Sequence, residues 1–422
     1  MSEGSILTDD FLRELINVGE VDILVGVPTY NDAKTVGQVV QAVRAGLLKY
    51  FPRERAVIIN ADGGSRDGSQ DLVRAASISD LQQVSDLRAL RTLHCISTRY
   101  PAEPASGNAL HTILAAGELL RASACAVVSP DSTNIEPEWL ERLLRPVYRD
   151  NFDLVTPVYR RHKFDGMLVR NLVYPMVRAL YAKRVREPYP SEFAFSGRLG
   201  SQFLGQEIWA QDVGREGAEM GLTIAAITGG HRVAQTFVGT KSRMDHGHAD
   251  LVRAMRQTVG VLFWSLEQTY PVWSANGESE PIPTIGAEHD ASLEALRINR
   301  KRLYQMFTRG VVELEPVLTS LLSPSTLAEL QRAAALPEEE FRYSDELWAR
   351  TVYEFAGSYQ KEAISRDHII QALAPLYRGR AFTFLVENRD ASSDELERTV
   401  EALCQTFERS KPYLLQLWDG RK

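Results

Sequence analysis

A carboxylate follows an apolar run in the stretch VSPDSTNIEPEW (residues 128–139). Residues 124–128 have the composition of a buried strand, and Asp131 comes just past its end. Carboxylate oxygens are the ligands that Mg²⁺ prefers, and this ion often takes only one or two protein ligands besides phosphates and waters. Ser129, two positions earlier, could hold a coordinated water. The stretch therefore predicts a divalent-cation site, for Mg²⁺ or Mn²⁺, with Asp131 as its carboxylate.

Polar residues and glycines also follow the earlier apolar runs. Pro28 and Tyr30 lie in VGVPTYND, where a sharp turn would present backbone groups to a cleft, although a plain strand-to-helix turn fits equally well. Asp62 lies in NADGGSRDGS, where a carboxylate could accept hydrogen bonds from a nucleobase or ribose. In PASGNALHTILAAG, Ser106 and Gly107 open a helix whose N-terminus could face a diphosphate, or could simply be a capping turn.

The elements that position these residues alternate between strand-like and helix-like patterns. Apolar runs at 21–27, 56–60, 91–97, 124–128 and 154–158 predict strands, and periodic apolar positions at 32–50, 69–76 and 110–120 predict helices. This alternation favours a parallel, doubly wound sheet. Ligands of such sheets bind beyond the carboxyl ends of the strands, where the polar residues fall.

The strand pattern fades beyond residue 251. Residues 251–267 predict one long helix, and residues 274–292, which are rich in Pro, Gly and acidic side chains, predict a linker. Residues 293–418 are almost entirely helix-like. We therefore predict an α/β domain over residues 1–275 and an all-α domain over residues 276–422. A helical appendage of this size often makes a dimer contact, so we expect a homodimer.

Composition excludes several classes of function. The 422 residues carry a formal net charge of -7, which argues against a nucleic-acid partner. No apolar run approaches the length of a membrane span, and the acidic N-terminus lacks the features of a secretory signal, so we expect no membrane association. The three cysteines are widely spaced and odd in number, which predicts a reducing, cytoplasmic location.

Taken together and in order, these segments resemble the family-2-like glycosyltransferases with a GT-A fold, over roughly residues 21–248. Within that group, three segments resemble the retaining mannosylglycerate and glucosyl-3-phosphoglycerate synthases. RRHKFDGMLV (160–169) resembles their mobile acceptor loop, PSEFAFSGR (190–198) their P-x-G-E-x-A-x-x-R segment, and GAEMGLTI (217–224) their E-I-G-L-L-I helix. The C-terminal stretches DELWARTVYEFA and KPYLLQLW resemble the end of glucosylglycerate and mannosylglycerate synthases.

The resemblance implies a GT-A fold and a set of site residues. It implies that the nucleotide contacts Pro28, Tyr30 and Asp62, that Asp131 binds the metal, and that Glu192 and Glu219 lie near the donor sugar. It implies that Arg161 holds the acceptor's carboxylate, with Asp165 and Val169 in the same loop. The family also has a metal-binding histidine after its last strand. Here the register slips, so either His246 or His248 could be that ligand, and we favour His246.

Three departures from the family pattern bear on the substrate. Ser129 replaces the first acid of the family's Asp-x-Asp, and Ser106 replaces a lysine that often contacts the nucleotide. Met167 stands where the phosphoglycerate-using enzymes have an arginine, and a phosphate dianion binds poorly without such a partner. The departure at Met167 favours an acceptor with a carboxylate and no phosphate, such as D-glycerate, although Lys163 could compensate.

We therefore expect a metal-dependent enzyme that moves a hexose, expected to be glucose, from a nucleoside diphosphate-hexose to a small hydroxy acid. Its product would be of the compatible-solute type. We expect retention of configuration, because no catalytic base for inversion stands out. Three alternatives stay open. One is glucosyl-3-phosphoglycerate synthesis, another is an inverting family-2 transferase that acts on a glycan or lipid-linked acceptor, and the last is a degenerate GT-A module that only binds nucleotide.

Overall fold

The structure, a computed structural model, describes residues 6–78, 93–241, 251–287 and 298–419. These residues form two compact units. Unit 1 contains residues 6–78, 93–160, 189–241 and 282–287, and unit 2 contains residues 161–188, 251–281 and 298–419. Neither unit is a continuous stretch of chain.

Unit 1 is built on an eight-stranded sheet in the described residues. Its strands are β1 (Ile23–Thr29), β2 (Ala56–Asp62), β3 (His94–Arg99), β4 (Ala124–Val127), β5 (Leu154–Arg160), β6 (Phe193–Ser196), β7 (Val233–Thr240) and β8 (Thr284–Ile285). Its helices are α1 (Asp9–Val18), α2 (Val36–Tyr50), α3 (Ser69–Ile78), α4 (Ser106–Leu119), α5 (Glu138–Asp150), α7 (Gly197–Leu204) and α8 (Asp212–Thr228), with a 3₁₀ turn at Glu207–Ala210. The helix α6 (Tyr174–Tyr181) belongs to unit 2.

The strand order in the sheet is β3-β2-β1-β4-β6-β5-β7-β8. Only β6 runs antiparallel to its neighbours. From β1 the chain goes to β2 and β3 on one side, and then crosses to β4 on the other side of β1. The sheet therefore has a topological switch point between β1 and β4, the position where open α/β sheets bind ligands at the carboxyl ends of their strands.

Alternation along β1 explains how helices cover both faces of the sheet. Ile23, Val25 and Val27 belong to a buried cluster that includes the apolar faces of α2 and α5. Leu24, which points to the other face, lies near the position where a side chain on Gly117 of α4 would stand. A strand that is buried on both faces reads as a continuous apolar run, which is why β1 was recognisable in the sequence.

Unit 2 is helical. Besides α6, its helices are α9 (Leu251–Met255), α10 (Val261–Gln268), α11 (Tyr270–Ala275), α12 (Arg300–Glu313), α13 (Glu315–Leu321), α14 (Pro324–Ala335), α15 (Asp345–Gln360), α16 (Arg366–Glu387) and α17 (Ser393–Asp419). π-helical segments at Val169–Val173 and Arg256–Gly260 lead into α6 and α10. In the described part of the chain, no helix has the length and apolar character that a bilayer crossing requires.

The predicted fold class is confirmed, since a mostly parallel sheet flanked by helices is accompanied by a helical C-terminal region. The domain division differs from the single boundary predicted after residue 275. Residues 161–188 and 251–281 group with the C-terminal helices, because α6 packs on α17 and α10 packs on α15. Composition could not reveal this, since the segments are separated along the sequence by strands of unit 1.

Candidate functional site

Asp62 ends β2 and is fully buried. Its Oδ1 accepts hydrogen bonds from the backbone amides of Gly64 and Ser65, both at 2.8 Å, and from Gln70 Nε2 at 2.7 Å. Its Oδ2 accepts from the hydroxyls of Thr29, at 2.7 Å, and Ser65, at 2.6 Å. A carboxylate offers about four acceptor positions, and five donors already use them. Asp62 therefore holds the turn after β2, and the predicted contact to a nucleobase would require one donor, such as Gln70, to leave.

This network also determines the charge of Asp62. Burial alone would raise the pKa of its carboxyl, but the hydrogen bonds from Ser65, Gln70 and Thr29 outweigh that effect and hold the pKa below its ordinary value. A chain of side-chain hydrogen bonds extends the network across three strands, from Ser97 on β3 through Asn60 on β2 to Thr29 on β1. The carboxyl ends of these strands are thus fixed relative to one another.

An exposed aromatic ring and an exposed cation lie beside the Asp62 turn. Tyr30 follows β1 and is 53% exposed, and its ring approaches the place where a side chain on Gly63 would stand. Arg99 ends β3, and its guanidinium lies over Gly64, which has a left-handed φ of 88°. Among the described residues, no hydrogen bond or ion pair engages that guanidinium. An aromatic face and a cation beside a glycine turn can bind a base and a negatively charged group.

Asp131 follows β4, on the other side of the switch point from β2. Ser129 Oγ donates to Asp131 Oδ1 at 2.5 Å. The turn over residues 129–134 is part of no helix or strand of the sheet, and hydrogen bonds to other elements hold it in place. Gln38 of α2 donates to the carbonyl of Thr133, and Asn134 Nδ2 donates at 2.6 Å to the carbonyl of Thr240, the last residue of β7.

The donor set around Asp131 is compatible with a hard cation. Asp131 and Ser129 contribute oxygen atoms, and Mg²⁺ or Mn²⁺ completes its shell with phosphate and water oxygens when few protein ligands are present. Within the described residues, no three His, Cys, Asp or Glu side chains cluster to form a complete metal site. The predicted ligands His246 and His248 lie outside the described residues. The prediction of a metal at Asp131 therefore stays a prediction.

Glu192 is predicted to lie near the donor sugar. It is fully buried just before β6, and Lys241, which is 3% exposed and follows β7, donates to its Oε2 at 2.6 Å. Ser132 Oγ donates to Oε1 at 2.5 Å, and the phenol of Tyr159 on β5 also donates to Oε2. A carboxylate surrounded by its own protein in this way is a buried ion-pair partner. The predicted place of Glu192 near the donor sugar stays a prediction.

The start of α4 packs against the start of α8. A side chain on Gly107 would stand 1.8 Å from the carbonyl oxygen of Gly214, so close packing explains this glycine without a diphosphate. Ser106 Oγ donates to the carbonyl of Glu216 at 3.0 Å and lies 3.3 Å from Glu219 Oε2. Burial raises the pKa of Glu219 to about 7. Near neutral pH this carboxyl can therefore either donate or accept a hydrogen bond, and a sugar hydroxyl could pair with it in either form.

The predicted acceptor residues belong to unit 2. Arg161 lies 3.2 Å from Glu187 and 3.9 Å from Asp165, and Val169 begins a π-helical segment. The loop packs on its own unit, because Phe164, Met167 and Val169 contact a buried cluster formed by Tyr174, Phe384, Leu396, Val400 and Cys404. Lys163 donates to the backbone carbonyls of Arg389 and Ala391, which engages two of the three N–H donors of its ammonium.

Comparisons with known proteins give low similarity. Neither a family model nor a curated protein matches the chain. Glucosyl-3-phosphoglycerate synthase from Mycobacterium tuberculosis, solved with Mn²⁺, UDP and glucosyl-3-phosphoglycerate, is 20% identical, with a TM-score of 0.44 over 64% of this chain and 87% of that one. Mannosyl-3-phosphoglycerate synthase from Rubrobacter xylanophilus is 17% identical, with a TM-score of 0.39 over 64% of this chain and 80% of that one. Similarity at this level identifies neither a substrate nor a site residue.

Sequence reasoning missed four residues at the carboxyl ends of the strands: Arg99, Ser132, Tyr159 and Lys241. Arg99 could have been found, since it is a cation two residues beyond the strand predicted over 91–97, where the other polar residues of the site were sought. The other three are a hydroxyl, a phenol and an ammonium from separate parts of the chain. Nothing in their spacing shows that they meet around Glu192.

Proposed function

We propose that the chain is a metal-dependent glycosyltransferase that moves a hexose from a nucleoside diphosphate-hexose to a small hydroxy acid. One observation carries the proposal. Polar and glycine-containing turns follow four adjacent strands, β3, β2, β1 and β4, and they span the switch point of the sheet. Three strand spacings cover about 14 Å, a length comparable with an extended nucleoside diphosphate.

The two ends of this row suit the two ends of such a ligand. Tyr30, Gly63 and Arg99 form an exposed ring, a close-approach turn and a cation, which suit a nucleobase and its ribose. Asp131, across the switch point, suits the diphosphate with its cation. When bound there, a divalent cation supplies positive charge that stabilises the departing diphosphate.

Retention of configuration is the stereochemical part of the proposal. Inversion generally requires a carboxylate that deprotonates the acceptor. Asp62 and Glu192, two acids at this edge, have their oxygens occupied by protein donors, which argues against either as that base. In the proposed transfer, the bond from the sugar carbon to the diphosphate breaks, a bond to the acceptor oxygen forms on the same face, and the acceptor proton passes to the diphosphate.

The acceptor is proposed to be a carboxylate without a phosphate, such as D-glycerate. Met167 supplies no charge, and Lys163, the cation that could have replaced it, donates to two backbone carbonyls. We propose that Arg161 binds the acceptor's carboxylate. A glucose donor, homodimerisation and a cytoplasmic location stay predictions.

An activity screen tests the function. UDP-, GDP- and ADP-hexoses are each incubated with Mn²⁺ or Mg²⁺ and either D-glycerate or 3-phosphoglycerate, and the anomer of any product is determined by NMR. We expect a product with the donor's anomeric configuration, formed faster from glycerate. Faster reaction of 3-phosphoglycerate would overturn the acceptor, an inverted product would overturn the mechanism, and metal-independent nucleotide binding without turnover would favour a binding module.

A further inference from the structure

A buried polar cluster lies at the carboxyl edge of the sheet in unit 1. It consists of Ser132, Tyr159, Glu192 and Lys241, with the ion pair between Lys241 and Glu192 at its centre. The Lys241 ammonium also lies 4.7 Å from the centre of the Tyr159 ring. The side chains of Lys241 and Glu192 are 3% and 0% exposed, so the pair is as buried as the apolar core around it.

Each member of the cluster comes from a different part of the sheet. Ser132 is in the turn after β4, Tyr159 is on β5, Glu192 precedes β6, and Lys241 follows β7. Burying two charges costs free energy that their attraction does not fully return, so a well-packed apolar group would serve stability as well or better. An apolar group, however, makes no directional hydrogen bonds. The hydrogen bonds of the pair fix where four strand ends stand relative to one another.

The cluster is joined directly to the turn that carries Asp131. Ser132 is the next residue, and its hydroxyl donates to Glu192 Oε1 at 2.5 Å. Asn134, three residues after Asp131, donates to the carbonyl of Thr240, which precedes Lys241. Two hydrogen bonds therefore hold the turn on the C-terminal side of Asp131. One goes to Glu192, the partner of Lys241, and the other goes to the last residue of β7.

We propose that the Lys241–Glu192 ion pair is a positioning device that acts through Ser132 to orient the Asp131 carboxylate for a divalent cation with a nucleoside diphosphate. The inference rests on the proposed function, because it assigns new residues to the same site. Groups that orient a metal ligand typically change metal affinity about 10–100-fold when removed. Lys241 and Glu192 themselves contact neither cation nor substrate in this proposal.

The test measures binding as well as activity. Free Mn²⁺ is followed by electron paramagnetic resonance while the wild-type protein, Ser132→Ala and Lys241→Met are titrated in the presence of UDP. Ser132→Ala cuts the link to the turn but leaves the ion pair, and Lys241→Met removes the charge while keeping a long side chain. The matched control is Arg198→Met, which removes the cation that pairs with buried Asp153 at the opposite edge of the sheet.

We expect both Ser132→Ala and Lys241→Met to weaken Mn²⁺ binding about 10-fold or more, and Arg198→Met to change it less than about twofold. In activity assays, saturating Mn²⁺ should restore kcat in Ser132→Ala, because only the placement of the ligand is lost. Melting temperatures report whether each variant is folded. If Lys241→Met does not fold, Ser132→Ala decides the question.

Unchanged Mn²⁺ affinity in folded Ser132→Ala would overturn the inference. An equal loss of affinity in Arg198→Met would also overturn it, since general destabilisation would then explain the effect. A wild-type protein that binds no Mn²⁺ with UDP would contradict the proposed function itself, and the inference would fail with it.

Discussion

The two edges of the unit 1 sheet both carry buried acidic side chains, but they arrange them differently. At the amino edge, Asp153 precedes β5 and accepts hydrogen bonds from Arg198, Ser196 and the Arg232 amide. Its cationic partner Arg198 is 67% exposed. At the carboxyl edge, Glu192 is paired with Lys241, a cation that is itself buried, and Ser132 joins this pair to the turn that carries Asp131. A separate network at the same edge holds the turn after Asp62.

The difference indicates which edge is built for a ligand. One buried acid with an exposed arginine is sufficient to join β5, β6 and β7 at the amino edge. The carboxyl edge contains more buried polar groups than joining strands requires, and it also exposes Tyr30, Arg99 and a glycine turn. Functional sites often keep polar groups in a required geometry even where these groups lower stability. The carboxyl edge is therefore the better candidate for the ligand-binding edge.

The largest effect is expected at Asp131. Asp131→Asn should lower turnover about 1,000-fold or more, in the upper range for removing one charge-stabilising group. The protein should stay folded, because the side chain is only half-buried. Steady-state kinetics with Mn²⁺ measure this, and Asp71→Asn on the exposed side of α3 is the control. Turnover within tenfold of wild type would exclude Asp131 as the metal ligand.

Asp62 and Asp153 give the most direct comparison of the edges. Asp62→Asn and Asp153→Asn should each lower the free energy of unfolding by about 3 kcal/mol, because each leaves buried donors without a carboxylate. Only Asp62→Asn should also weaken UDP binding, since only its turn faces the ligand. Denaturant titration and calorimetry with UDP measure the two quantities. Equal UDP affinity in both variants would remove the distinction between the edges.

The pH dependence of Asp62 and Asp153 has the same sign. Hydrogen bonds hold both pKa values below the ordinary value for aspartate. The unfolded chain therefore takes up these protons first as the pH falls, so the stability from each group is present above about pH 4 and is lost as the pH falls through the folded pKa. Wild-type protein should lose more stability below pH 4 than either Asn variant. Denaturant titrations between pH 3 and 6 measure the free energy of unfolding. A wild-type protein whose stability falls no more steeply with decreasing pH than that of the variants would contradict the prediction.

The contribution of Glu219 to stability depends on pH in the opposite direction. Its pKa rises from 4.5 to about 7 on folding, so the folded protein favours the neutral acid. Its stabilisation is fully present below about pH 4.5 and is lost as the pH rises through about 7. At pH 8, Glu219→Gln should therefore raise the free energy of unfolding, by at most about 3 kcal/mol, and at pH 4 the gain should disappear. The exposed control Glu207→Gln should show no such pH dependence, and a gain independent of pH would refute the assignment.

The smallest effect is expected at Arg99. Arg99→Ala should weaken UDP binding about tenfold, or about 1.4 kcal/mol, without changing the melting temperature, because the side chain is exposed. Arg121→Ala is the control, since Arg121 is an exposed arginine at the amino edge that pairs with Glu20. If both variants bind UDP as the wild type does, Arg99 has no part in nucleotide binding.

The alternating pattern was enough to predict the strands β1 to β5, because strands such as β1 are apolar on both faces and the helices between them are periodic. The strands β6, β7 and β8 were not among those predicted. The end of β1 was placed two residues early, at Val27, since Pro28 suggested a turn. In the structure β1 extends to Thr29 and continues to pair with β2. A proline is tolerated where its missing amide is not needed by the ladder.

The site was harder to predict than the fold. Asp62 and Asp131 could be predicted to lie at the carboxyl edge because each comes at the end of a strand-like run in the sequence. The surroundings of Glu192 could not be predicted because a sequence does not show which groups surround a carboxylate, and its partners Ser132, Tyr159 and Lys241 are 60, 33 and 49 residues away. The close packing of Gly107 against Gly214 could not be predicted either, because it depends on how two distant helices cross.

The location of a bound cation tests the central claim most directly. Crystals grown with UDP and Mn²⁺ are measured at the manganese absorption edge, where anomalous scattering identifies the ion. The switch-point site predicts a manganese peak at coordination distance from an Asp131 oxygen and from the diphosphate. A peak that contacts other side chains, or UDP bound at the carboxyl edge without any manganese peak, would contradict it.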